Sequence, residues 1–274
     1  MLQPNPCTRG KLGIARLAVA LAIECQFQGL NAGELQAPGG EELKYEQPTN
    51  LTGTIYAQGT ERQQPLFKFK RLASRIGSTL NVVRDFTYSD GKPAARERVV
   101  YEGNHLILYE LEELQIGAKG SVKIRLSEGN PAKGSIEFNY TRGAGDSSHW
   151  KLRSEPLQEN TLINDMVGPF LAAHWDALAQ GQKVKCRYIV VPRRETVGFE
   201  FVKQSQSTWH GKEVMIVKME PTSLIIAALV EPLFFTLEKA SPHRVLQYAG
   251  RTTPKLSVGG KWKDLDAATV FDWQ

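Results

Sequence analysis

The sequence predicts a mainly β protein: a large curved antiparallel sheet, a half-barrel-like meander, covered by a kinked helix and a short helical insert. Three observations predict it. Apolar and polar residues alternate with period two in run after run, which is typical of strands with one buried face. The runs are joined by short turns rich in Gly, Asn, Asp and Pro, so neighbours should pair antiparallel. Many runs share an apolar face, which must be covered by another layer or by curvature of the sheet itself.

The first block of strands spans residues 51–142. Its alternating runs are separated by turns such as Ser89-Asp90-Gly91, where Asp-Gly tolerates the positive φ angles of a hairpin. In the second run Phe67, Phe69 and Arg71 fall on one side. The predicted strands lie at 52–57, 66–74, 79–88, 95–101, 105–114, 120–126 and 135–142.

One helical pattern, at residues 160–180, follows a Gly- and Ser-rich boundary at 143–148. Phe170, His174 and Leu178 share one face at helical spacing. Gly168-Pro169 predicts a break or kink at that point. We expect this helix to pack onto the apolar face of the sheet.

The second block of strands spans residues 183–274 and contains the insert at 224–230. Met215 and Met219 lie on one face of the strand that leads into the insert, and Phe234 lies on the strand after it. The insert is apolar on every side, so we expect it to be covered, either as a plug in the core or as a lid over an apolar cavity. Residues 51–274 form a β-rich domain, which can also be divided into blocks 51–142 and 183–274 joined by the helix.

The N-terminus has the order of a secretory signal peptide: basic residues, an apolar stretch at 17–23, then a small residue at Ala32. A buried N-terminal helix is the alternative. We predict a signal peptide at 1–32, a linker or arm at 33–50, and a periplasmic or secreted protein. The mature chain would keep only Cys186, which lies on an apolar strand face and is expected to be inert.

The charge pattern does not favour nucleic acid. The formal charge is +5, and the basic residues are spread along the chain. The densest patch includes Lys68 and Lys70, which point to one side of a strand as an ordinary solvated face. No nucleic-acid module is recognisable.

No catalytic motif, phosphate loop or dinucleotide fingerprint occurs, so we assign no catalytic residue and no cofactor. The five histidines do not stand at metal-ligand spacing, so we assign no metal. His174-Trp175-Asp176 comes nearest to a catalytic cluster, but we favour a packed histidine. Asp264 and Asp266 lie in what reads as a loose tail. No apolar run in the mature chain is long enough to span a membrane.

The C-terminal pattern resembles a family of uncharacterised exported bacterial proteins. It is carried by the strand, short insert and strand from Met219 to Leu237, followed by His243-Arg244-Val245-Leu246-Gln247-Tyr248-Ala249-Gly250. Proteins of that kind resemble the periplasmic lipoprotein-carrier fold, a curved half-barrel closed by helices. The resemblance covers mainly residues 184–255 and implies no activity.

Two functions follow from these patterns. The first is a carrier that holds a lipid or other apolar ligand in the curved sheet, and the expected binding residues are Phe170, His174, Leu178, Met215, Met219, Leu224 and Phe234. The alternative is a non-catalytic structural or interaction protein of the envelope, with a protein partner and a filled core. An enzyme is a third and less favoured hypothesis. Cavity volume discriminates best, because a ligand needs roughly 300–1,000 Å³.

Overall fold

The computed structural model describes residues 49–58, 64–127, 130–143, 152–228 and 230–273. The predicted signal peptide and the predicted arm up to residue 48 lie outside the described residues, as does most of the predicted boundary at 143–148. In the described residues the chain forms fifteen strands: β1 Leu51–Ala57, β2 Pro65–Ile76, β3 Thr79–Tyr88, β4 Pro93–Glu102, β5 His105–Glu113, β6 Ala118–Ser127, β7 Asn130–Thr141, β8 Arg153–Pro156, β9 Thr161–Leu162, β10 Val184–Val190, β11 Glu195–Trp209, β12 Lys212–Pro221, β13 Leu233–Glu238, β14 Val245–Val258 and β15 Lys261–Asp272.

All the described strands belong to one sheet, in the order β8-β7-β6-β5-β4-β3-β2-β1-β15-β14-β13-β12-β11-β10-β9. Neighbours pair antiparallel except β9 and β10, which pair parallel. Thr52 lies opposite Asp272, so β1 joins the two halves of the meander. The predicted mainly β architecture with one large curved antiparallel sheet is confirmed.

The sheet curves until its two ends meet through side chains. No ladder of backbone hydrogen bonds between the described strands closes it. The Glu155 carboxylate on β8 accepts hydrogen bonds from the backbone N–H and the hydroxyl of Thr196 on β11, both at 2.9 Å. Gly120 on β6 lies against the 3-10 turn Val191–Arg193, since a Cβ at this position would stand 2.4 Å from Cγ1 of Val191. The apolar face is therefore covered by curvature, together with short helices inside.

The helices inside the curve differ from the predicted kinked helix. A 3-10 turn at Asn164–Met166 leads into α1 (Val167–Ala173), and α2 (Trp175–Ala179) follows after a break at His174. The break predicted at Gly168-Pro169 is wrong. Pro169 lies in the first turn of α1, where a backbone N–H has no helical partner and proline is tolerated.

Two further expectations are wrong. The insert forms a one-turn helix, α3 (Leu224–Ala227), whose Leu224 is 89% exposed, so it is neither covered on every side nor a core plug. The stretch containing Asp264 and Asp266 is not a loose tail. It is part of β15, and both carboxylates accept hydrogen bonds from Arg251.

The interior contains two apolar clusters. The main cluster packs α1 and α2 against β3–β7 and β10–β14. The small cluster, which includes Phe69 and Phe86, lies among β1–β4 and β15. A row of charged side chains on β2, β3 and β4 stands between these clusters on the inner face of the sheet.

Candidate functional site

The seven residues predicted to bind an apolar ligand occupy three kinds of position. Phe170, Leu178, Met215 and Met219 belong to the main cluster and are 0–1% exposed. His174 is half-buried at the edge of the cluster, with its ring 4.3 Å from that of Phe170 and its Nδ1 2.9 Å from the Phe170 carbonyl oxygen. The other two residues, Leu224 and Phe234, lie elsewhere.

Leu224 and Phe234 do not face the interior. Leu224 points into solvent from α3, and Phe234 lies on the face of β13 opposite the buried Phe235. The structure thus brings together part of the predicted set, in the form of a packed core.

The near-zero exposure of the four core residues shows that they touch protein on all sides. A side chain that lined a void large enough for water would keep accessible surface, because the walls of an internal void count as accessible. Phe170 also lies 5.7 Å, ring to ring, from Phe201, which in turn lies 5.9 Å from Phe235. The side chains of the core residues themselves occupy the space that the carrier hypothesis assigns to a ligand.

The charged row was not predicted, and we call Arg71, Arg84, Glu97 and Asp165 the charged cluster. Arg71, Arg84 and Glu97 are cross-strand neighbours on β2, β3 and β4. Two arginines directly opposite each other repel, so this arrangement needs a carboxylate between them. Asp165, on the 3-10 turn before α1, supplies it.

Asp165 is held by three groups of the sheet. Arg71 donates through Nε to Oδ1 at 2.7 Å and through Nη2 to Oδ2 at 3.0 Å, a bidentate pair. The Tyr101 hydroxyl donates to Oδ2 at 2.9 Å. Nε of Arg84 lies 3.7 Å from Oδ1. The side chain of Asp165 is 3% exposed, so the turn before α1 is fastened to the sheet by a buried ion pair.

Glu97 is the second carboxylate of the charged cluster, and its side chain is fully buried. It accepts from Nη1 of Arg84 and from the hydroxyl of Thr253, which reaches across the interior from β14. The Arg84 guanidinium also lies over the ring of Phe69, 5.2 Å from its centroid. The charged cluster therefore joins three layers: the helical turn, the strands β2–β4, and β14.

These contacts shift the pKa values of Asp165 and Tyr101. Burial alone would raise the pKa of Asp165, but the two arginines and the Tyr101 hydroxyl outweigh it and hold the pKa below its usual range. Burial and the neighbouring Asp165 carboxylate raise the pKa of Tyr101 well above that of a free phenol. The charged cluster thus pairs two arginines with two carboxyl groups, and it organises the interior rather than meeting solvent.

A second polar contact crosses the interior at Gln115. Its side-chain amide donates to the Lys255 carbonyl oxygen at 2.9 Å and accepts from the Lys255 N–H at 2.7 Å, as a paired strand would. Lys255 itself pairs with Glu113 at 3.0 Å. These contacts hold β14 against the end of β5.

Cys186 is buried as predicted, and burial raises the pKa of its thiol to about 12, which leaves it a poor nucleophile. Among the described residues, no group of three or more His, Cys, Asp and Glu side chains is placed to hold a metal ion. None of the helices in the described ranges is long and apolar enough to cross a membrane.

The outer surface carries a different kind of site. A cleft of about 260 Å³ lies over β10–β12 beside α3; we call it the basic cleft, and it is lined by Gln158, Glu159, Asn160, Lys185, Cys186, Arg187, Gly198, Phe199 and Thr222. Arg187 donates through Nη2 to the carbonyl oxygen and the hydroxyl of Thr196, at 2.7 and 2.8 Å. Another cleft, of about 330 Å³, lies between the start of β1 and the middle of β2.

Comparison with family models and with curated proteins found no match. Among solved structures, the chain is similar to the crystal structure of a β-barrel-like protein of domain of unknown function DUF1849 from Brucella abortus. The sequence identity is 9% and the TM-score is 0.37, over 82% of this chain and 96% of that one. So distant a likeness carries no conclusion about function.

Proposed function

We propose that the chain is an exported, non-catalytic binding protein that acts through its outer surface on a partner in the cell envelope. One observation supports it most: the interior positions that a carrier must keep open are filled by Phe170, Leu178, Met215 and Met219. Of the two functions that the sequence suggested, the interaction protein is the one this packing favours.

Two further observations support the proposal. The four titratable groups of the charged cluster partner one another and are almost closed to solvent, which suits a structural role. Export is proposed from the sequence alone, from the basic, apolar and small residues that end at Ala32.

A fluorescent fatty-acid probe tests the filled interior. We expect no saturable binding by the wild type, and no stoichiometric lipid in extracts of the natively purified protein. Met215→Trp should destabilise a filled interior by about 1–3 kcal/mol through overpacking. If the protein instead binds the probe, and Met215→Trp stays as stable as the wild type while abolishing that binding, the interior is a ligand cavity and the proposal fails.

Cell fractionation with N-terminal sequencing tests export. The expected product begins just after Ala32 and is found in the envelope fraction. A chain that keeps Met1 and stays in the cytosol would contradict this part of the proposal.

A further inference from the structure

We infer that α3 and the basic cleft dock the protein onto an anionic lipid membrane. The aliphatic side chains of α3 enter the acyl boundary, and the basic cleft faces the phosphate headgroups. The inference rests on the proposed function, because it names the envelope partner as a membrane surface.

The apolar half of this surface is α3. Leu224 is 89% exposed and the adjacent Ile225 is 79% exposed, while Ile226 packs against the main cluster and anchors the turn. Ala227 and Ala228 are exposed as well. Single exposed aliphatic residues are ordinary, but neighbours presented together on an apolar turn mark an interaction surface.

The charged half is the basic cleft, whose lining contains two cations, Lys185 and Arg187, and one carboxylate, Glu159. Lys185 and Arg187 stand on the outer face of β10, with Lys185 opposite Glu200 of β11, and no ion pair of either cation is found within the part of the chain that the structure describes. Thr196, itself bonded to Glu155, holds Arg187 by Nε and Nη2. Nη1 remains directed toward Gly198, where a Cβ would stand 3.4 Å from it. The guanidinium is therefore held near Thr222, two residues before the start of α3.

The size of α3 favours a membrane over a protein partner or a second copy. A standard protein interface buries about 800 Å² on each partner, with roughly 20–30 residues a side. One exposed helical turn offers far less. Peripheral membrane contact needs only a shallow apolar insertion of about 5–10 Å with cations at headgroup level. Lys185 and Arg187 complement anionic headgroups, and their contribution depends on salt.

Sedimentation with lipid vesicles tests the inference in the full chain. Vesicles that mix phosphatidylglycerol with phosphatidylcholine should bind the wild type, less so as salt rises, and pure phosphatidylcholine should bind it weakly. Leu224→Ser with Ile225→Ser should weaken binding at least about tenfold. Lys185→Gln and Arg187→Gln should each weaken it about fivefold.

Matched controls use the same changes elsewhere. Ile76→Ser removes an aliphatic side chain that is 75% exposed at the end of β2, and Lys68→Gln removes an exposed cation. Both should bind as the wild type does. Every variant carries the same N-terminal segment before residue 49, so a contribution from that segment is equal in all of them. Circular dichroism confirms that each variant is folded.

Three outcomes would overturn the inference. In the first, the wild type binds neither kind of vesicle. In the second, the α3 and cleft variants bind as well as the two controls. In the third, the wild type forms a dimer that the α3 variant abolishes, with no vesicle binding, and α3 is then a contact between copies. None of these results touches the probe titration, so the proposed function and this inference can fail separately.

Discussion

At the scale of single residues, the most informative feature is a charge at a position whose neighbours are apolar. Along β2, Arg71 follows Phe67 and Phe69 on the inner face, and along β3 Arg84 stands between Val82 and Phe86. Such a charge needs a partner, because a buried ion left alone is expensive. The charged cluster supplies partners for both arginines through Asp165.

Asp165→Asn should therefore destabilise the protein strongly. It keeps the shape of the side chain but leaves Arg71 and Arg84 buried without this anion. Removing one partner of a buried pair costs about 3–5 kcal/mol. The control is Glu137→Gln, whose pair with Arg125 is exposed and should matter by about 1 kcal/mol or less. Unfolding in urea measures both, and equal losses would contradict a structural role for the charged cluster.

The same carboxyl predicts a dependence on pH. The folded pKa of Asp165 is lowered relative to an unfolded value near about 3.9. Its contribution to stability is therefore complete above the unfolded pKa and is lost as pH falls through the folded pKa. The difference in unfolding free energy between wild type and Asp165→Asn should be largest above about pH 5 and should shrink below about pH 4. A difference that stays constant down to low pH would contradict it.

The sequence contained part of this site. The alternation of apolar residues in β2 already placed Arg71 on the inner side with Phe67 and Phe69. Its partner Asp165 lies 94 residues further along, in a turn before a helix, and no local pattern connects the two. The face of β2 on which Arg71 lies was therefore predictable from residue spacing, whereas its pairing with Asp165 became visible only in the folded structure.

At the scale of elements, local periodicity predicted the longer strands well because each of them has one buried face, but it missed the short β8 and β9. It failed where tertiary packing determines the position of a helix break or the exposure of an element. The helix breaks at His174 rather than at Gly168-Pro169, and α3 is exposed although it is apolar throughout. Only the first half of β15, with Asp264 and Asp266, read as a loose tail, whereas the whole strand is ordered by pairing with β14 and with the distant β1.

Two glycines should respond in opposite ways to alanine. Gly120→Ala places a Cβ 2.4 Å from Val191 and 2.9 Å from Tyr140, where the ends of the sheet meet, and overpacking should cost about 1–3 kcal/mol. Gly168→Ala, in α1, meets only Val245 at an ordinary 3.7 Å and should stabilise the helix by about 0.5–1 kcal/mol. Thermal unfolding shows whether each variant is less or more stable than the wild type.

A second change makes the glycine test specific. Adding Val191→Ala to Gly120→Ala should recover part of the loss, because it removes the Cγ1 atom that the new methyl group meets. If the two losses simply add, β6 does not rest on the Val191–Arg193 turn in the way the structure describes.

At the scale of the whole molecule, one sheet carries both apolar clusters. β1 pairs with β2 on one side and with β15 on the other, and the charged cluster connects the strands that the two clusters share. We therefore expect the two clusters to unfold together, since opening either one breaks ladders that the other needs.

Phe69→Ala and Phe201→Ala test this cooperativity. Phe69 lies in the small cluster and Phe201 in the main cluster, and each truncation should cost about 3–5 kcal/mol. Both should shift one and the same unfolding transition, seen alike by tryptophan fluorescence and by circular dichroism. A variant that splits the curve into two transitions would show that the clusters are independent.

The pairing of β1 with β15 also determines when the sheet can be completed during synthesis of the chain. Thr52 is made long before its partner Asp272, so one edge of β1 has no partner strand until β15 is made. At about 5–20 residues per second, the intervening chain takes on the order of ten seconds or longer to appear. Throughout that interval the edge of β1 that pairs with β15 has no partner strand, so the nascent chain cannot complete its sheet. Pairings this distant in sequence also make folding slow once the chain is complete. A chain organised in this way stays accessible to other cellular proteins until β15 has been made.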